Sequence, residues 1–292
     1  MYRRQFLQRL SCVASVPALA QAVAMVAITS TPPGLRKGQP VWRSDPFALG
    51  VASGEPRPDS VLLWTRLYPG AAQPGYAATA AEQAAHMEEV SGLTEDQYCV
   101  VSYEIFDHES LTKPIRKGEF TTWAARGWSV HARIEGLRPD RRYWYRFRSG
   151  QAISPVGRTR TAPAPDARVA ALRVALASCQ HYEQGYYSAH TDIAQQDIDA
   201  VLFVGDYIYE STNPKYRLRS HTGGVPKTLE AYRERHALYK LDADLRTSHA
   251  AHPWVCTWDD HEVDNDYAAD QDRAYTQPGV FLARRAAAYQ AY

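Results

Sequence analysis

Three short apolar runs in the second half of the chain, LRVALA (172–177), AVLFV (200–204) and WVCT (254–257), each stop abruptly at a cluster of polar residues. The runs are continuous rather than alternating, which is the pattern of strands buried on both faces of a parallel sheet. Helical patterns lie between and after them: YYSAHTDIAQQ, TLEAYRERHALYK and VFLARRAAAYQAY. Strands alternating with helices predict an α/β layer, and in such sheets ligands bind outside the carboxyl ends of the strands. Those ends carry Ser178-Cys179-Gln180, Gly205-Asp206-Tyr207-Ile208-Tyr209-Glu210 and Trp258-Asp259-Asp260-His261-Glu262-Val263-Asp264-Asn265. Neighbouring strands would bring a thiol, a phenol, an imidazole and several carboxylates into one cleft. Gathered carboxylates repel one another unless a multivalent cation neutralises them, so the pattern predicts a metal.

The front half has a different texture. From about 47 to 160, six runs (FALGVAS, SVLLWTRL, YCVVSYEIF, RKGEFTTW, SVHARIEGL and RYWYRFRSG) are separated by turn signals, with no strong helix between them. In the last, Tyr143, Tyr145 and Phe147 alternate with Trp144, Arg146 and Arg148, the period of a half-buried strand. The series predicts a β-sandwich over 47–160. Gly136-Leu137-Arg138-Pro139 ahead of Tyr143 resembles the fibronectin type III turn and tyrosine corner. The insert 71–97, rich in Ala and Glu, reads as a surface loop with some helix, and TAPAPDARVA at 161–170 as a linker. A length of 292 residues accommodates two such domains.

The first thirty residues read as an address. Arg3 and Arg4, followed by Phe6 and Leu7, then a small-residue apolar stretch and Ala18-Leu19-Ala20, predict a cleaved secretory signal. The paired arginines resemble a twin-arginine signal, which implies export of the folded protein by the twin-arginine machinery to the periplasm or beyond. Residues 31–46, with Pro32, Pro33, Gly34 and Pro40, read as an exposed lead-in. Beyond them no apolar run approaches the ~20 residues that span a bilayer. A net charge of +1 argues against sequence-specific nucleic-acid binding through a large basic field. Three cysteines remain after the signal, an odd number. Cys99 and Cys256 lie inside β runs and read as core, which leaves Cys179 to be explained.

GDYIYE and WDDHEVDN, in this order with Ser-Cys-Gln upstream, resemble the alkaline phosphatase D (PhoD-like) family of calcineurin-like metallophosphoesterases, relatives of purple acid phosphatases. VASGEPRPDSVLLWTRL at 51–67 is similar to the opening of that family's N-terminal β domain. The resemblance implies an α+β, two-domain protein. Its front would be a fibronectin III-like β-sandwich, followed over 171–292 by part of an αββα metallophosphoesterase sandwich. It implies a secreted phosphoric ester hydrolase, acting on monoesters or diesters by metal-hydroxide attack, with Fe(III) and Ca(II) as cofactors. Gly205, Asp206 and Tyr209 match the superfamily's G-D-x-x-Y signature, in which the Asp bridges two metals and the Tyr phenolate binds the ferric ion. Asp260 would be a ligand of the second metal, His261 a general acid or phosphate-stabilising group, and Cys179 a thiolate to iron. The donor types agree with those roles: thiolate, phenolate and carboxylate suit a trivalent ion, and oxygen ligands suit calcium.

Late histidine and acidic elements used by the superfamily have no match after Glu262, and VFLARRAAAYQAY ends without a helix stop signal. These two features lead us to expect the front part of a longer protein, with little hydrolysis from this stretch alone. Arg217, Arg219, Arg233 and Arg235 could attract phosphate, but a solvated helix face, on which Arg233 and Arg235 fall, is the preferred reading. His181, Tyr182 and His190 are further candidates to line the pocket. Two other readings compete: a secreted β-sandwich adhesion protein with a degenerate metal fold, and a thiol hydrolase using Cys179 with His261. The second leaves Asp206 and Tyr209 without a role.

Overall fold

The computed structural model describes residues 33–68 and 79–292, so the export signal expected over 1–30 and the start of the insert lie outside the described residues. All six expected front-half runs form strands: β2 (Val51–Gly54), β3 (Val61–Arg66), β4 (Gln97–Phe106), β5 (Arg116–Trp123), β6 (Ser129–Ile134) and β7 (Arg142–Ser149). Three strands went unpredicted: β1 (Arg36–Lys37), β8 (Ala152–Ile153) and β9 (Gly157–Arg160). The supposed lead-in is therefore partly built into the fold. β1 pairs in parallel with Gln97 and Tyr98, and Trp42 is buried in the core. Along β7 the alternation is realised, with Tyr143, Tyr145 and Phe147 all fully buried. Side chains of this size contribute about 2–3 kcal/mol each when buried. The Tyr143 hydroxyl also accepts a hydrogen bond from the Arg138 backbone N–H at 2.8 Å.

One sheet is built on β4 and β7, with β1 and β5 paired to β4 and β8 and β9 paired to β7. The other runs β10-β11-β12-β2-β3-β6, where β10 is Val174–Ala177, β11 Ala200–Val204 and β12 Pro253–Thr257. Strands from both halves of the chain therefore share a sheet across the expected linker: β12 lies parallel to β2, with Pro253 opposite Ser53 and Trp254 opposite Gly54. Gly54 permits this approach, since a Cβ there would stand 2.8 Å from the Trp254 carbonyl oxygen. A first core lies between β2, β3 and β6 on one side and β4 and β7 on the other. The architecture is mixed α+β.

Five helices complete the described residues: α1 (Ala80–Ser91), α2 (Ser188–Gln195), α3 (Leu229–Lys240), α4 (Ala243–Ala251) and α5 (Pro278–Ala291). α1 opens on a capping box between Thr79 and Glu82, and α3 on a Thr228 cap. α4 was not anticipated. Asp242 starts it by accepting from the Asp244 and Leu245 backbone N–H groups. Side chains from α3, α4 and α5 join those of β11 and β12 in a second core.

One expectation fails. β10, β11 and β12 are parallel, as predicted, but among the described residues they are not buried on both faces. Phe203 and Trp254 pack into the second core, whereas Val174, Leu176, Val204 and Val255 are 40%, 70%, 47% and 47% exposed. No described helix is long and apolar enough to cross a membrane.

Candidate metal centre

The carboxyl ends of β10 and β11 are stitched together by their own backbone. Cys179 N–H donates to the Gly205 carbonyl and Gln180 N–H to the Asp206 carbonyl, both at 3.2 Å. Cys179, Gly205 and Asp206 all have positive φ, at 56°, 96° and 57°. Only glycine suits the middle position, because a Cβ on Gly205 would lie 2.5 Å from that of Asp259. The second and third tips are joined by a buried carboxylate, Glu262. It accepts from the backbone N–H groups of Tyr207 (2.6 Å), Asp259 (2.9 Å) and Asp206 (3.3 Å). Burial pushes the Glu262 pKa up, against the pull of those N–H groups.

With the tips fixed, one ligand atom each from Asp206, Asp260 and His261 lie within 4.8 Å of one another. The Tyr209 hydroxyl donates to Asp206 Oδ2 at 2.8 Å. Its pKa is pushed well up by burial, then by the Asp206 hydrogen bond and charge and by the neighbouring Cys179 thiol. All five candidate residues thus come to one end of the sheet. Cys179 stands at its exposed margin, outside the tight trio.

Glu210, quoted in the motif without a role, is buried and has one. Its Oε2 lies 2.8 Å from His261 Nδ1. Burial alone would lower the His261 pKa, but the Glu210 hydrogen bond and charge, with Asp206 and Asp260 nearby, raise it overall. With Nδ1 engaged, Nε2 is the nitrogen left to face the site. The Tyr209 ring is packed against the imidazoles of both His261 and His181, with centroids at 4.1 and 4.4 Å.

The arginines correct another expectation. Arg235 is buried, not solvated, and donates from α3 to the backbone carbonyls of Tyr209, Glu210 and Gly224. Arg219 pairs with Asp242 at 2.6 Å and lies over the Tyr182 ring. Arg233 donates to the Ala125 carbonyl, and Arg217 is exposed. His190 is buried and bonded to Gln180 Oε1, away from the cleft. Cys99 is buried as expected. Cys256, read as core, is exposed on the half of β12 where Val255 and Thr257 are exposed as well.

The residues fit a cation on two observations. Asp206 Oδ1 is buried and has no hydrogen-bond partner, a costly state for a carboxylate oxygen unless something positive binds it. The surrounding donor set offers carboxylate, phenol, imidazole and thiol, ligand types that can hold a multivalent cation.

Comparisons with known proteins agree with this geometry. The family model described as PhoD-like phosphatase matches residues 174–292, and that of the PhoD-like phosphatase N-terminal domain matches 32–163. Alkaline phosphatase D of Bacillus subtilis (strain 168) is 40% identical over 298 residues, covering 99% of this chain and 47% of that protein. A solved structure described as "Structure of PhoD" superposes with a TM-score of 0.77 at 43% identity, covering 87% of this chain and 46% of that one. The chain thus spans about half the length of the relatives it matches. With both family models matched in order, and the strand-tip residues of the second gathered at one end of the sheet, the chain belongs to the PhoD-like phosphatase family.

Proposed function

We propose that the chain carries the strand-tip site of a metal-dependent phosphoric ester hydrolase acting on monoesters or diesters. The observation that carries this reading is the trio Asp206, Asp260 and His261 around a buried, unpartnered Asp206 oxygen. Cys179, Asp206 and Tyr209 would hold Fe(III), with Asp206 and Asp260 holding Ca(II). Bound there, such a pair would supply Lewis acidity, activate water as the nucleophile and neutralise phosphoryl charge. The chain's own residues supply the rest. Glu210 fixes the His261 ring through Nδ1 and favours its protonated form, so Nε2–H is aimed to protonate the departing alkoxide. Glu262 and Arg235 hold the two loops in register from behind. Arg3, Arg4, Phe6 and Leu7 and the Ala18-Leu19-Ala20 site support export through the twin-arginine route to the periplasm. The Tyr143–Arg138 contact and the paired front sheets support a fibronectin III-like sandwich.

The test is spectroscopic and chemical. Loaded with ferric and calcium ions, the protein is expected to be coloured by phenolate-to-iron charge transfer. Tyr209→Phe should lose or shift that band. Hydrolysis of aryl phosphate mono- and diesters should be low from this stretch and should vanish with chelation. A colourless protein, or hydrolysis indifferent to chelators, overturns the reading.

A further inference from the structure

His181 sits two residues past Cys179 on the first strand tip, and its imidazole is held from three sides. Its Nδ1 accepts the Glu183 backbone N–H at 3.2 Å. One side of its ring contacts Tyr209, and the ring stacks on His221 at 5.4 Å with planes 26° apart. That frame is itself buried. Glu183 accepts from Asn213 N–H (2.8 Å) and His221 N–H (2.9 Å), and His221 Nε2 meets the Tyr239 hydroxyl at 3.0 Å. An imidazole that accepts at Nδ1 carries its proton on Nε2 and is neutral. Among the described residues no hydrogen bond is made by Nε2, and His181 is partly exposed beside the site. The ring therefore presents a fixed N–H donor with nothing among the described residues to receive it.

The other imidazole at the site, His261, is held through Nδ1 by Glu210 and is assigned to the leaving group. Arg235 donates to backbone carbonyls, and Arg219 donates to the Tyr182 carbonyl and Asp242 while its buried Nη2 has no partner. His181 is not part of the trio whose ligand atoms lie within 4.8 Å of one another. We propose that His181 is a catalytic residue whose Nε2–H donates a hydrogen bond to a phosphoryl oxygen of the bound ester. A neutral donor binds that oxygen without adding a positive charge next to two cations. Because the ring is already immobilised, little reorganisation is required when charge builds on the phosphoryl group, the condition under which such donors are most effective.

This assignment rests on the phosphoester reading, and the test separates the two. Binding of inorganic phosphate to the ferric- and calcium-loaded protein is measured by titration calorimetry, with metal content determined on each sample. Wild-type protein should bind phosphate, and His181→Ala should bind it about tenfold or more weakly, as expected for loss of one hydrogen bond to a charged group. Metal content should not change. His181→Gln, whose amide nitrogen reaches close to the place of Nε2, should recover part of the affinity, whereas His181→Asn, which mimics Nδ1 only, should not. If wild type binds phosphate and His181→Ala binds it equally well, or if Asn and Gln behave alike, the His181 assignment fails and the phosphoester reading stands. Loss of metal from His181→Ala would make the residue a ligand and also overturn the assignment. A metal-loaded wild type that binds no phosphate removes both.

Discussion

Lowering the pH from 7 to 5 should destabilise the metal-free protein by about 3–5 kcal/mol, a large fraction of the roughly 5–15 kcal/mol that holds an ordinary domain together. The cause is a group of buried histidines behind Tyr207. His249 stacks on Trp254 at 3.8 Å and bonds to the Tyr207 hydroxyl at 2.8 Å. His190 stacks on the same indole, and His236 contacts the Tyr207 ring. Burial pushes the pKa of His190 down to about 4 and of His236 to about 3, and holds His249 well below the ordinary value. Below the ordinary value of 6.5, the unfolded chain takes up protons that the folded one refuses, so stability falls as pH falls. Each histidine costs about 1.4 kcal/mol per pH unit until its folded value is reached. Glu234 and Glu262, raised by burial, and His261, raised by its carboxylate neighbours, return part of the loss. Urea unfolding at pH 7 and pH 5 in the presence of a chelator measures the difference. Equal stabilities would mean these rings are hydrated.

Glu262→Ala should cost about 3–5 kcal/mol, because it strands two buried backbone N–H donors and a third that is part-buried. Those donors belong to Asp206, Tyr207 and Asp259, on two different loops, so the variant also loosens Asp206 relative to Asp260. Metal affinity should drop although Glu262 touches no metal. Glu262→Gln keeps the volume and one acceptor oxygen, and should lose about half as much stability. Denaturant unfolding of the three proteins decides it, and an alanine variant within about 0.5 kcal/mol of wild type would contradict the role.

The strand-end residues could be read from sequence because apolar runs are easy to see and whatever follows them is placed by the sheet. The clusters that hold Cys179, Asp206, Tyr209, Asp260 and His261 are located that way, and the family resemblance singles out these five within them. The roles of Glu210 and Glu262 were hidden inside the same motifs. In a run of acids, which carboxylate turns inward depends on backbone N–H groups that only the folded loops bring close. Arg235 was obscured because its partners, the Tyr209 and Glu210 carbonyls, lie 25 and more residues away along the chain. α4 escaped because Leu245 is its only large apolar buried residue, alongside Ser248 and His249. The pairing of β12 with β2 joins positions some two hundred residues apart, and no local pattern announces it. Among the described residues one side of β10–β12 is open, so the continuous apolar runs are matched by burial on one face only.

The central claim is that three loops from three strands close on shared cations. Elemental analysis of ferric and calcium ions retained per chain, for wild type and for Cys179→Ser, Asp206→Asn and Asp260→Asn, tests it most directly. Each replacement should lower retention, although the three residues sit on separate strand tips, and Asp206→Asn should do so without loss of metal-free stability because it removes a buried, unpartnered carboxylate oxygen. Retention that depends on one tip alone, or a wild type that keeps no multivalent ion, would contradict it.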